Sequence, residues 1–157
     1  MELIMIRRNA LLSFASFAIL AAAPQLSWAA RPLAQVYRNP GCGCCEIWAQ
    51  LMSEAGFQIS IEDDPNLAAR RAKLGIAEAV AGCHTALIDG FVFEGHVPPA
   101  DIQRFLKERP AGALGLAVPG MPVGSPGMGP EGSGDPYDLL LLRANAEPTV
   151  YARHQQK

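Results

Sequence analysis

The chain has 157 residues, half of them apolar, and carries 13 basic against 15 acidic side chains for a net charge of −2. No basic stripe runs through it, which excludes an electrostatic nucleic-acid binder, so no nucleic-acid partner is expected.

Residues 1–29 read as an export signal. Arg7-Arg8 supply a positive start, 10–23 form an apolar run interrupted only by serine, and Ser27-Trp28-Ala29 offers small residues where a signal peptidase cuts. The run is shorter than the roughly 20 apolar residues that a membrane span needs, so no stable span is expected after cleavage. A retained N-terminal anchor is the alternative. Either a Sec-type or a twin-arginine-type signal fits the Arg7-Arg8 pair, and the expected compartment is the periplasm. Cleavage leaves residues 30–157, one domain in length, with 11 basic and 14 acidic residues and a net charge of −3 once Glu2, Arg7 and Arg8 are gone. All four cysteines lie in that part, and an exported protein permits disulfides.

Leu33 to Arg38 predicts a short strand, broken by Asn39-Pro40-Gly41. A helix follows over about 44–55, with Ile47, Trp48, Leu51, Met52 and Ala55 at helical spacing and Gly56 as its stop. Residues 57–61 alternate as a strand does. Asp64-Pro65 reads as the cap and first residue of a second helix ending near Gly75. After one ambiguous turn at 76–81, two strands at 85–88 and 91–94 flank Asp89-Gly90, a two-residue hairpin signal. Pro99 opens a third helix that presents Ile102, Phe105 and Leu106 on one face. From Pro110 to Pro136, fourteen of 27 residues are Gly or Pro, so neither helix nor strand is expected there. Residues 137–142 return as a C-terminal edge strand, and 153–157 should fray. The order strand, helix, strand, helix, hairpin, helix predicts an α/β, thioredoxin-like single domain with a Gly/Pro/Met-rich loop over 110–136.

Chemistry concentrates in Asn39-Pro40-Gly41-Cys42-Gly43-Cys44-Cys45. Cys42 and Cys45 form a CxxC pair at the mouth of the first helix, where the partly positive peptide groups favour thiolate over thiol. Those two are the candidate catalytic cysteines. Arg38 would add to the effect if it folded back. Cys44 beside the pair is surplus to a two-electron dithiol cycle. In a thioredoxin-like fold the loop before the hairpin faces the CxxC, and Cys83-His84-Thr85 stands where such proteins usually place a cis-proline. Four converging thiolates suit Cu(I), Zn(II) or an iron–sulfur centre, so Cys42, Cys44, Cys45 and Cys83 are candidate metal ligands, with His84 beside them. Two structural disulfides are the alternative, but three cysteines so close cannot all staple distant segments. Pro119-Gly120-Met121-Pro122 and Pro126-Gly127-Met128-Gly129 form a near-repeat. Thioethers favour Cu(I) over Zn(II), which makes Met121 and Met128 candidate copper ligands; as plain packing they would be flexible apolar plugs. His96 reads as a surface or packing residue.

Residues 37–45, Cys83-His84-Thr85-Ala86, Gly95-His96-Val97-Pro98 and 120–128 together resemble the CopG-like family. Its members are exported metal-binding proteins, long labelled a domain of unknown function and often encoded with copper-resistance systems. The similarity spans roughly Leu33 to Leu142. It implies a thioredoxin-like fold, Cu(I) bound by Cys42, Cys44, Cys45 and Cys83 with a multinuclear thiolate cluster as one form, and a redox role in copper handling. Met121 and Met128 match the family's methionine loop. The expected function is that of a periplasmic Cu(I)-binding protein contributing to copper resistance, with copper ions and other periplasmic copper-handling proteins as partners. A thiol–disulfide oxidoreductase acting on proteins and a non-catalytic copper chaperone are the rival readings.

Overall fold

The computed structural model describes residues 30–130, 134 and 136–155, so the expected export segment lies outside the described residues. Strand β1 (Leu33–Arg38) leads into helix α1 (Gly43–Glu54), β2 (Gln58–Asp63) and α2 (Leu67–Lys73). A 3-10 turn at Glu78–Val80 precedes the hairpin β3 (His84–Ile88) and β4 (Phe91–Glu94), then α3 (Pro99–Glu108), β5 (Ala113–Ala117), β6 (Tyr137–Arg143) and β7 (Thr149–His154). The seven strands form one mixed sheet in the order β2-β1-β3-β4-β5-β6-β7. The pairs β1–β2 and β4–β5 are parallel and the remainder antiparallel. Among the described residues no helix is long and apolar enough to cross a membrane.

Alternation along the strands sorts side chains onto two faces. Ala86 and Ile88 of β3, Phe93 of β4, Leu116 of β5, and Leu139 and Leu141 of β6 share a core with Trp48 and Met52 of α1 and Ile102 and Phe105 of α3. Their neighbours Leu87, Val92, Leu114, Ala117, Leu140 and Leu142 pack on the opposite face with Leu74, Ile76 and Val80. Helices α1 and α3 thus cover one face, while the segment from the end of α2 to the 3-10 turn covers the other. Because His84 shares the parity of Ala86 and Ile88, it points to the α1 face. Thr85 and Glu94 share the parity of Leu87 and Val92 and point to the α2 face.

The hairpin forms at Asp89-Gly90, both with positive φ (51° and 81°), as its two-residue loop requires. Three expectations need correction. The Gly/Pro-rich segment does contain a strand, β5: averaging over 110–136 hid Ala113–Ala117, which holds a single glycine and slots between β4 and β6 with a bulge near Gly115. The strand at Tyr137–Arg143 is not an edge, because β7 pairs outside it; Arg153 and His154, expected to fray, lie in that pairing. Helix α2 begins at Leu67, since Asp64 uses its carboxylate to accept the Asn66 N–H (2.9 Å) and to pair with Arg70, making a turn ahead of the helix.

Candidate metal centre

The turn Asn39-Pro40-Gly41 closes with the Cys42 N–H donating to the Asn39 carbonyl (3.2 Å), which sets Cys42 as the residue capping α1. Cys44 and Cys45 then fall in the first helical turn. Arg38 folds back, but to the backbone: its guanidinium donates to the Cys42 carbonyl (3.1 Å) and is neutralised by Glu46 (2.9 Å) and Asp63 (2.7 Å). The hydrogen bond to Asp63, and then that to Glu46, hold Arg38 above its ordinary pKa.

Cys83 arrives from the opposite direction, at the end of the loop leading into β3. That loop is anchored on the α2 face by a buried charge network. Glu94, fully buried, accepts from Arg71 Nε (2.8 Å), from the Gly82 N–H (2.7 Å) and from the Thr85 hydroxyl. Arg71 in turn donates to the Gly82 carbonyl (2.6 Å). Both backbone groups of the residue before Cys83 are therefore fixed by side chains. Burial pushes the Glu94 carboxyl up, against the opposing pull of Thr85, Gly82 and Arg71.

The four cysteine sulfurs converge within 4.8 Å of one another. Cys42 and Cys45 are joined as a disulfide, and Cys44 and Cys83 are free. Cys44 lies 3.5 Å from Cys42 and 3.8 Å from Cys83, while Cys83 lies 3.4 Å from Cys45. A tetrahedral ion with metal–sulfur bonds of about 2.3 Å separates its sulfurs by about 3.8 Å, close to these contacts. Reduction of the disulfide would supply four thiolates, with Cys44 and Cys83 already near ligand spacing from their neighbours and Cys42 and Cys45 having to separate from their bonded distance. In the metal-free chain burial, first, and then the neighbouring Cys44 sulfur push the Cys83 thiol up to about 12, so a metal must displace its proton.

Two imidazoles stand behind Cys83. His96 Nε2 is 2.8 Å and His84 Nδ1 3.5 Å from its sulfur, and both rings are fully buried. His84 packs against Trp48 with ring centroids 4.3 Å apart, and Trp48 donates from its indole nitrogen to the Val97 carbonyl (2.9 Å). Desolvation lowers the pKa of both histidines, that of His84 further still through the nearby His96 and Arg71. Neutral rings are thus favoured. The expectation that His96 is only a surface or packing residue is corrected: it directly contacts Cys83. The missed signal was the pair Gly82-Cys83 and Gly95-His96. A Cβ on Gly82 would lie 2.5 Å from the Gly95 Cα, so Gly82 lets the two segments cross, while a Cβ on Gly95 would meet the Val118 carbonyl oxygen at 2.5 Å.

The Gly/Pro loop also reaches the centre, and through its backbone. The Pro126 carbonyl accepts from His96 Nδ1 (2.6 Å). Of the predicted thioether ligands, Met121 is 54% exposed and Met128 half-buried. Gly127 has φ 86°, and a Cβ there would sit 3.0 Å from both the Cys44 carbonyl oxygen and the Trp48 nitrogen. Gly127→Ala is expected to cost about 1–3 kcal/mol through strain at that positive φ, and to lift the loop from α1. Chemical denaturation checks the first effect, and faster alkylation of Cys44 the second.

A mixed α/β domain with a buried cysteine–histidine cluster at ligand spacing is, as a class, a protein able to hold a soft metal. Comparison with known proteins narrows this. Residues 80–128 match the family model described as "Protein of unknown function, DUF411". Two solved structures of copper resistance protein CopG, form 2 and form 1, are each 36% identical with a TM-score of 0.73. The alignments cover 79% and 78% of this chain and 98% and 97% of those chains. The chain belongs to the CopG-like copper-resistance family. No curated protein matches it.

Proposed function

We propose that this chain is a periplasmic Cu(I)-binding protein of copper resistance, built on a thioredoxin-like core with a C-terminal β6–β7 extension. The fold reading is supported by the order β2-β1-β3-β4 with β3 antiparallel to its neighbours, and by a CxxC pair at the start of α1. The observation that carries the function is the convergence of four cysteine sulfurs from two segments 38 or more residues apart. Reduced, they offer soft anionic ligands to Cu(I), and shared thiolates would let the centre hold more than one ion. Residues 1–29 supply the export signal in this reading, and delivery of the folded protein to the periplasm by that segment is its cellular test.

The Cys42–Cys45 disulfide adds a redox step. Two Cu(I) ions giving one electron each would reduce the disulfide to two thiolates and leave two Cu(II) ions; in reverse, two Cu(II) ions would reoxidise the pair. Anaerobic Cu(I) titration of the reduced chain, followed by reoxidation and thiol counting, tests both parts. Tight uptake protecting all four thiols is expected of the reduced chain, and Cu(II) should appear when Cu(I) is added instead to the chain with its Cys42–Cys45 disulfide intact. A chain that takes up no Cu(I) when fully reduced would sink the reading.

The disulfide itself favours a second reading, a thiol–disulfide oxidoreductase acting on proteins, in which Cys44 or Cys83 resolves the mixed disulfide. It predicts protein-disulfide reduction that persists after strict metal removal. A copper chaperone without turnover would bind Cu(I) and pass it to a partner with the disulfide unchanged.

A further inference from the structure

An apolar cleft lies outside the metal centre, on the outer side of α1. It holds about 450 Å³ between that helix and the Gly/Pro loop, and is lined by Ile47, Leu51, Gly127 and Gly129. We propose that this cleft docks an extended segment of a second protein, apolar with a basic residue at one end, whose sulfur ligand exchanges Cu(I) with Cys44. The partner's copper rests on the Cu(I) reading above; the docking itself needs no metal.

The helix side of the cleft has a polarity. Cys44, Ile47, Leu51 and Glu54 stand at i, i+3, i+7 and i+10 on α1, so they form one stripe along its surface. At one end is the half-buried free thiol of Cys44, whereas Cys45 and Cys83 are buried. In the middle are the apolar side chains, with Ile47 53% exposed. At the other end Glu54 is exposed, and its carboxylate accepts from the neutral amide of Gln50 (3.0 Å). Among the described residues it has no cationic partner, and α1 itself carries no basic residue. A basic group in the docked segment would supply that partner, and an acidic one would be repelled.

The loop side of the cleft selects an extended chain. Glycine has no side chain, so Gly127 and Gly129 present bare backbone. Among the described residues neither makes a hydrogen bond. Unpaired N–H and carbonyl groups suit an extended segment, which pairs through its own backbone; a helix arrives with its backbone already satisfied. Length agrees. The ten residues from Cys44 to Glu54 rise about 15 Å along the helix. Five extended residues span about 13 Å from first to last, and a lysine side chain covers the remainder. Alternation puts the first, third and fifth on one side, which sets their order as sulfur ligand, apolar, basic. Cu(I) passes between the sulfurs by ligand exchange, with no change in oxidation state.

The probe is the peptide acetyl-Met-Thr-Leu-Thr-Lys-amide, with methionine because a thioether cannot open the Cys42–Cys45 disulfide. Titrated into the metal-free chain and followed by NMR, it should shift the amide signals of Ile47, Leu51, Gly127 and Gly129 to saturation. Replacing its lysine by glutamate, or its leucine by serine, should each weaken binding by about tenfold or more. Methylating the leucine nitrogen, which removes a backbone donor, should weaken it as well. Ile47→Lys, at an exposed position, should abolish binding while Cu(I) uptake by the reduced chain is unchanged. Glu54→Gln should bind the lysine and glutamate peptides alike. A wild type with no shifts at those four amides, or with equal affinity for the two peptides, would overturn the proposal. So would a concentration-dependent dimer that Ile47→Lys dissolves, since a second copy would then fill the cleft. Failure of the wild type to take up Cu(I) would instead remove the Cu(I) reading, and with it the copper-carrying partner.

Discussion

Glu94→Ala is expected to destabilise the chain by about 3–5 kcal/mol, the usual cost of removing one partner of a buried ion pair. Total stability for a domain is only about 5–15 kcal/mol, so much of the population should unfold at modest urea. The size of the effect comes from what is left behind. Arg71 is nearly buried, and Glu94→Ala removes its ion-pair partner on the α2 face. The Gly82 N–H and the Thr85 hydroxyl lose their acceptor at the same time. Arg71→Met should cost a comparable amount by stranding the carboxylate. The double variant Arg71→Met/Glu94→Ala should cost less than the sum of the two single changes by about 0.5–3 kcal/mol, as coupled neighbours do. Urea unfolding of the metal-free chain measures all three. A Glu94→Ala penalty under 1 kcal/mol, or strict additivity, would show that the network is not a coupled clamp. Because both backbone groups of Gly82 are held by this pair, the same variants should also weaken Cu(I) binding at Cys83.

The parts of this architecture legible in the sequence are those fixed by local signals. Asn39-Pro40-Gly41 ends β1, helical spacing defines α1, and Asp89-Gly90 fixes the hairpin, so Cys42, Cys44 and Cys45 could be set at a helix mouth with Cys83 opposite. The Arg71–Glu94 clamp was not legible: its members are 23 residues apart, and each alone reads as an ordinary charged residue. His96 was hidden for a similar reason. The turn at Gly95 aims it across the sheet, and its second nitrogen is satisfied by a loop carbonyl thirty residues on. A carbonyl has no signature in sequence. That is also why the Gly/Pro loop drew attention for its methionines when its contacts to the centre run through the backbone of Pro126 and Gly127. The β6–β7 pairing depended on where a second strand after 143 would dock, which no short-range pattern encodes.

The second large effect is on copper. Cys83→Ser is expected to lower Cu(I) affinity by well over 100-fold, beyond the roughly 10–100-fold that loss of an outer-shell partner costs. Cys42, Cys44 and Cys45 all come from one turn, whereas Cys83 alone brings sulfur from the other segment and contacts both Cys44 (3.8 Å) and Cys45 (3.4 Å). A serine hydroxyl is a hard, protonated oxygen and a poor ligand for a soft monovalent ion. Its O–H can still donate to His96 Nε2, so the fold and the His96–Pro126 hydrogen bond should survive. Competition against a chromogenic Cu(I) chelator gives the affinity, and thermal unfolding of the metal-free protein checks the fold. Met121→Leu, on an exposed side chain, supplies the contrast. If Met121 only covers the site, its substitution should leave affinity within a few-fold of wild type, since leucine and methionine are close in volume. Were Cys83→Ser to bind Cu(I) as tightly as the wild type, Cys83 would not be a ligand, and the clamp that fixes Gly82 ahead of it would have no part in holding the metal.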